Sequence, residues 1–274
     1  MRVTRHAITA ACTLAALSML VTALPANAQP DEEDTGWSAR IGALAMAVPR
    51  YEGADSHRLR VLPVLRVTYD DRYFFSHHGL GVNLLTDEGL DLAVAVGYDG
   101  GRGSGKDDAL TGYRSVRDTA VGRLLLDYRF GAMKLHVDIA TDLLDRGHGG
   151  TQATVGLSGL LDNGAGTTLM VGPSLTWGSG DLMHSYFSTT PDRLNRAALA
   201  GEVLPGSRPG YAAGAGVKNI ALTGILIHSL NDEWSIIGHA AYARMMGDAA
   251  DSPFVRDQGS RNQLSGGLGL SYSF

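Results

Sequence analysis

The sequence predicts an all-β chain that closes as a transmembrane antiparallel β-barrel of about twelve strands, with ten as the alternative count. Three observations predict it. Segments of about ten residues alternate between apolar and polar side chains, the period of a strand with two different faces. Short turns and long loops join these segments in an uneven mixture, as in outer-membrane barrels. The chain also ends on such a segment, LGLSYSF, with Tyr272 and Phe274 on its apolar face. In lipid every backbone donor must be paired, so a sheet with an apolar outer face has to close, the last strand meeting the first.

The first residues, MRVTRHAITAACTLAALSMLVTALPANAQP, place Arg2 and Arg5 ahead of an apolar run and Ala26-Asn27-Ala28 after it. This is the pattern of a secretory signal peptide, with Ala26 and Ala28 as the cleavage positions. Residues 1–28 are therefore expected to be the signal and 29–274 the barrel, exported by the Sec route to a Gram-negative outer membrane. The single cysteine, Cys12, lies inside the signal, where Thr9-Ala10-Ala11 makes a poor lipidation box. The mature chain then has neither disulfides nor thiol chemistry. Cleavage removes Arg2 and Arg5 but no acid, taking the formal charge from −5 to −7. An acidic balance with no basic run argues against nucleic acid as a partner. Past residue 28 no apolar run reaches the roughly 18 residues of a spanning helix.

Candidate strands fall near 37–47, 58–69, 72–85, 89–98, 118–130, 133–142, 151–161, 167–178, 216–229, 233–246 and 262–274. That count is odd, whereas bacterial single-chain barrels use even numbers. A break of the 72–85 segment near His77-His78-Gly79 makes twelve; leaving the first strand out of the wall makes ten. The reading adopted is twelve. The 36 glycines, spread along the chain, suit the curvature and crowded inner positions of a barrel.

The best-defined pair is DTAVGRLLLDYRF-GA-MKLHVDIATD. Leu124, Leu126, Tyr128 and Phe130 share one face with Met133, Leu135, Val137 and Ile139 across a Gly131-Ala132 turn. The opposite face carries Arg123, Asp127, Arg129, Lys134, His136 and Asp138. Apolar out and charged in is the lipid and lumen assignment. With that turn, Phe130 faces Met133, Arg129 faces Lys134, and Asp127 is expected to be the shared counter-ion of Arg129 and Lys134. Together with Arg66, these lumen charges read as ion pairs that fill and stiffen a small barrel. The alternative is a narrow polar pore. Tyr69, Tyr98, Tyr128, Phe130, Trp177, Trp234, Tyr242, Tyr272 and Phe274 sit at strand ends, where interfacial girdles belong.

Three stretches carry a family resemblance: VPRYEGADSHRLRVLPVLRVTYDDRYFFSHHGLGVNLL, NDEWSIIGHAAYARMMGDAADSPFV and the terminal GGLGLSYSF. Pro49, Tyr51 and Gly53, the strand around Pro63, the Gly79 and Gly81 pair, and the loop of Gly247, Asp248, Asp251, Ser252 and Pro253 are similar to motifs of the MipA/OmpV outer-membrane proteins. The chain departs from that pattern at Ser185 to Thr190. The resemblance implies a scaffold that brings a lytic transglycosylase together with a bifunctional penicillin-binding protein, or a permeability or adhesion role. It supplies no catalytic residue. Outer-membrane lipid is an implied partner, and the terminal aromatic resembles the address read by the barrel-assembly machinery, with Tyr272 and Phe274 as the assembly signal.

Chemistry-bearing residues were weighed beside these. His184-Ser185, His77-His78, His148 and His239 suggest a hydrolase or acyltransferase set, but no spacing brings nucleophile, base and orienting group together. No HxH or HExxH spacing supports a metal. The run Gly100 to Lys106 lacks the full phosphate-loop spacing and reads as a flexible loop. Asp248 and Asp251 alone are weak support for calcium. The expectation is a barrel without enzyme activity, metal or cofactor.

Overall fold

In the computed structural model, which describes residues 36–103, 110, 115–189 and 211–274, twelve antiparallel strands form one closed barrel. The expected signal peptide and its cleavage positions lie outside the described residues. The strands are β1 (Trp37–Pro49), β2 (His57–Tyr69), β3 (Tyr73–Ser76), β4 (Gly79–Asp87), β5 (Leu90–Asp99), β6 (Thr119–Phe130), β7 (Met133–Asp142), β8 (Thr151–Asp162), β9 (Thr167–Gly178), β10 (Gly216–Ser229), β11 (Trp234–Met245) and β12 (Asn262–Ser273). Each pairs with its neighbours in sequence, and β12 closes onto β1 through Arg40↔Ser273 to Ala47↔Gly266. The apolar end of the chain is thus a seam strand, and the 72–85 segment does divide at His77-His78.

The reason for that division is local. Gly79 takes φ +106, a conformation that favours glycine, and a Cβ there would meet the Val96 carbonyl at 2.0 Å. The hairpin therefore turns early, and β3 is only four residues long.

The start of β1, the end of β12 and five short turns, at Asp70–Arg72, Glu88–Gly89, Gly131–Ala132, Asn163–Gly166 and Leu230–Glu233, gather at one end. By the usual asymmetry of such barrels this end faces the periplasm. The long connections lie at the other end. They include α1 (Gly180–Phe187) between β9 and β10, and α2 (Gly247–Asp251) with α3 (Pro253–Arg256) between β11 and β12.

The outer surface is a lipid-facing band. Leu124, Leu157, Val171, Leu222, Leu226 and Leu268 are all exposed, which in lipid is the apolar environment their side chains need. Aromatic girdles bound it. On the periplasmic side Trp37 packs on Tyr69 with ring centroids 4.6 Å apart, and Tyr272 lies between Trp234 at 5.0 Å and Phe274 at 4.8 Å. Tyr98, Trp177 and Tyr242 mark the outer level. Ala120, which faces Tyr98, is eight residues from Tyr128 on β6. At about 3.4 Å per residue and a tilt of about 40°, that is roughly 20 Å of membrane depth, close to the height of an outer-membrane hydrocarbon band.

Candidate functional site

Among the described residues, charge, burial and loop structure converge in the lumen. The β6–β7 register is that of the sequence reading, Phe130↔Met133, Arg129↔Lys134 and Asp127↔His136. Arg123 donates to Asp138 at 2.6 Å, and both are largely buried. Asp127 accepts from Lys134 at 3.0 Å and from His136 Nδ1. The expected sharing of Asp127 with Arg129 does not occur. Arg129 sits at the solvent-exposed periplasmic rim and reaches across to Asp91 on β5 at 3.1 Å. The neighbouring strand offers the nearer acid, because β5 places Asp91 opposite Asp127.

One side of the interior is apolar instead. Leu44, Met46, Val48, Val64, Met170, Ile225, Ile227 and Ile237 form an apolar core inside the barrel between β1, β2 and β9–β11. A smaller cluster of Phe74, Ala93, Ala95 and Leu125 lies beside the ion pairs. Arg66 adds a guanidinium 5.9 Å from the Phe74 ring.

Above this filling the outer loops pack into a cap with a hydrophobic core of its own. Tyr51 and Ala54 from the β1–β2 loop meet Phe187 of α1, Ala249 of α2 and Phe254 of α3. The Phe187 and Phe254 rings stack with centroids 5.9 Å apart. Arg102, 5% exposed, is the cation at the centre. It lies 5.5 Å from the Tyr186 ring and 5.1 Å from that of Phe254, and it donates to the Tyr186 carbonyl at 2.6 Å. The reading of residues 100–106 as a flexible loop is therefore corrected at Arg102, which also bridges to Val116; residues 104–106 lie outside the described ones.

The motif residues at the outer end meet in this cap, although they are far apart in sequence. Pro49 ends β1 at the cavity margin. Gly53 donates its N–H to Gln263 Oε1 at 3.1 Å, and its carbonyl accepts from Ser260. Its φ of +95 and the Val255 side chain 2.5 Å from where a Cβ would lie leave room for glycine only. Ser252, fully buried, donates to the Phe187 carbonyl at 2.6 Å, and Pro253 opens α3. Gly247 opens α2 with φ +47. Asp248 accepts from Gly214 N–H at 2.7 Å, whereas Asp251 pairs with Arg261 at 2.7 Å. The two carboxylates thus serve different structural partners. Gly79 and Gly81 lie elsewhere, on the β3–β4 hairpin, where Gly81 leaves space for the Phe74 ring.

Between cap and filling is a cavity of about 140 Å³. Lys218 spans it, donating to Glu52 at 2.9 Å and to Gln152 at 2.6 Å. His148 stands 3.8 Å from Asp99 beneath Tyr186. Burial holds His148 below its ordinary pKa, with Asp99 and Asp142 opposing the shift. In the cap, burial pushes the Tyr211 phenol up to about 12, helped by Asp248 and Asp251.

The histidines do not assemble a catalytic set. Ser185 donates to the His148 carbonyl at 3.1 Å, while His184 pairs with Ser188 at 3.0 Å and has no carboxylate behind it among the described residues. Among the described residues no group of three or more His, Cys, Asp or Glu side chains could hold a metal. Sequence reasoning missed Arg102, Lys218 and the apolar lumen. The alternation of Leu44, Met46 and Val48 along β1 was the available signal for the last of these.

Solved structures similar to the chain are outer-membrane proteins. One is described as a bacterial polysaccharide outer membrane secretin, at 9% identity over 89% of this chain and 100% of that one, TM-score 0.45. Another is OmpT of Vibrio cholerae, at 8% identity over 90% and 100%, TM-score 0.41. The COG4313 outer membrane channel from Pseudomonas putida F1 follows at 9% identity over 90% and 100%, TM-score 0.39. No curated protein matches the sequence. The model of the family described as MltA-interacting protein MipA matches residues 41–274, nearly the whole barrel from β1 to the last residue, so this outer-membrane β-barrel belongs to the MipA family.

Proposed function

We propose that the protein is a non-enzymatic outer-membrane scaffold that holds peptidoglycan-remodelling enzymes, a lytic transglycosylase and a penicillin-binding protein, at its periplasmic face. The observation that carries this reading is the filled lumen. An apolar core, buried ion pairs and a packed cap occupy the space that a channel would leave to water. The family description, MltA-interacting protein, supplies the kind of partner.

The periplasmic end has a charge suited to docking. Asp70, Asp71, Asp87, Glu88, Asp162, Asp232 and Glu233 are exposed on or beside its turns, with Arg72 and Arg129 as their opposites. An acidic rim favours a partner with a basic face and steers its approach. The rival reading is a solute channel. Co-purification of a transglycosylase with the detergent-extracted barrel supports the scaffold; resolved unitary steps in planar bilayers would replace it with the channel.

A further inference from the structure

The barrel is closed, but the early turn at His77-His78 leaves the outer part of its wall between β2 and β5 without strands among the described residues. β2 pairs with β1 along its whole length but with β3 only over Val67–Tyr69. β4 meets β5 only from Leu80↔Val96 downward. Above the hairpin tip, among the described residues, β2 from His57 to Arg66 therefore has no strand along its second edge. At the tip, β2 and β5 are separated by three interstrand spacings, about 14 Å, and the free edge of β2 runs for roughly 30 Å. This notch lies in the outer half of the membrane, because His57 bonds the carbonyl of Leu264, which pairs with Tyr242 of the outer girdle.

Its chemistry is two-sided. Outward, Leu59 is 85% exposed and Val61 72%, above the 69% of Leu268 in the complete wall, with Leu80 beside them at 67%. Inward, Arg58 and Arg66 carry no ion pair among the described residues, and Arg58 Nε is buried without a hydrogen-bond partner. At the floor, both ring nitrogens of His77 are likewise buried and unpartnered. Hydrocarbon cannot fill such a place, because it offers no hydrogen bond to the unpaired backbone groups of a strand edge. Nor does a partner strand suit it, since Pro63 interrupts the row of donors on β2.

We propose that the gap between β2 and β5 is a lateral binding site for a phosphorylated lipid of the outer leaflet. Its chains lie against Leu59, Val61 and Leu80, and its phosphate meets the unpaired guanidinium of Arg58. Arginine matches phosphate by forked, charge-assisted hydrogen bonds. The ester and hydroxyl groups of such a lipid would also satisfy the free edge of β2. The site is independent of the scaffold reading.

The test uses the full mature chain refolded in non-ionic detergent, with dansyl-labelled phosphatidic acid as probe and dansyl-labelled diacylglycerol as the phosphate-free arm. Saturable binding of the phosphatidic acid is expected, at least tenfold tighter than that of the diacylglycerol. It should weaken at least tenfold in the Arg58→Gln variant, whose heat-modifiable mobility reports folding. If that variant does not fold, single-cysteine chains decide. A bulky maleimide on Leu59→Cys should abolish binding, whereas the same label on Leu226→Cys, in the complete wall, leaves it unchanged. Equal binding of the two lipids, equal loss at both labelled positions, or full displacement by inorganic phosphate would overturn the proposal.

Discussion

Arg102 shows how one side chain can order a loop assembly. Its guanidinium joins the β5–β6 loop to Tyr186 of α1 and Phe254 of α3, contacts that are worth more where water is excluded. Arg102→Ala should cost about 2–4 kcal/mol, from the lost cation–π contacts and the orphaned Tyr186 carbonyl. Limited proteolysis should then cut the outer loops while the strands stay protected. Tyr211 gives a pH-dependent counterpart. Its hydroxyl donates to the Asp248 carbonyl at 2.6 Å, and its pKa is raised to about 12. A phenol with a raised folded pKa contributes stability that is fully present below its unfolded value of about 10 and is lost as pH climbs through about 12. Tyr211→Phe should remove that alkaline component from the pH dependence of cap proteolysis; an unchanged profile would show that the phenol does not report on the cap. Neither residue was legible as important in the sequence. Arg102 sits in a run of glycines, and loop packing has no period to read.

At the scale of elements, sequence and structure agree where contacts are local. The register of β6 and β7 followed from a two-residue turn and a change of face, because a one-residue slip would turn every charge toward lipid. The partner of Arg129 was not legible, since the stagger of β5 against β6 is set by closure of the whole barrel rather than by one hairpin. The same limit hid the apolar core: inward Leu44 and Ile237 look in sequence like outward residues, and only the barrel brings them together. The two faces remain open to direct measurement. Leu126, opposite Leu92 and Val137 and two residues inside the Tyr128 girdle, should cost about 1–2 kcal/mol when changed to Arg, less than at mid-membrane. Asp127→Ala, which leaves Lys134 and His136 without their acid, should cost roughly 1–3 kcal/mol. Urea titrations in lipid vesicles read both; a neutral Leu126→Arg would reverse the assignment of lipid and lumen.

For the molecule as a whole the question is whether the cap or the filling closes the lumen. The cap core of Phe187, Phe254 and Met183 is separate from the lumen core of Leu44, Met46 and Ile225, with the cavity near Lys218 between them. The two barriers therefore act in series, and loosening one should leave the other shut. Phe187→Ala with Phe254→Ala removes a stacked pair and should cost the cap several kcal/mol, roughly 3–5 for each buried ring if the effects add. The outer loops of that variant should become protease-sensitive. In planar bilayers it should nevertheless pass no unitary current, because Leu44, Met46, Ile225 and Ile237 still fill the barrel beneath and the Arg123–Asp138 and Lys134–Asp127 pairs bridge its charged side. Discrete conductance steps appearing only in this variant would mean that the cap alone is the stopper. The lumen would then be a gated path for polar solutes, and the scaffold would have to share the barrel with a channel.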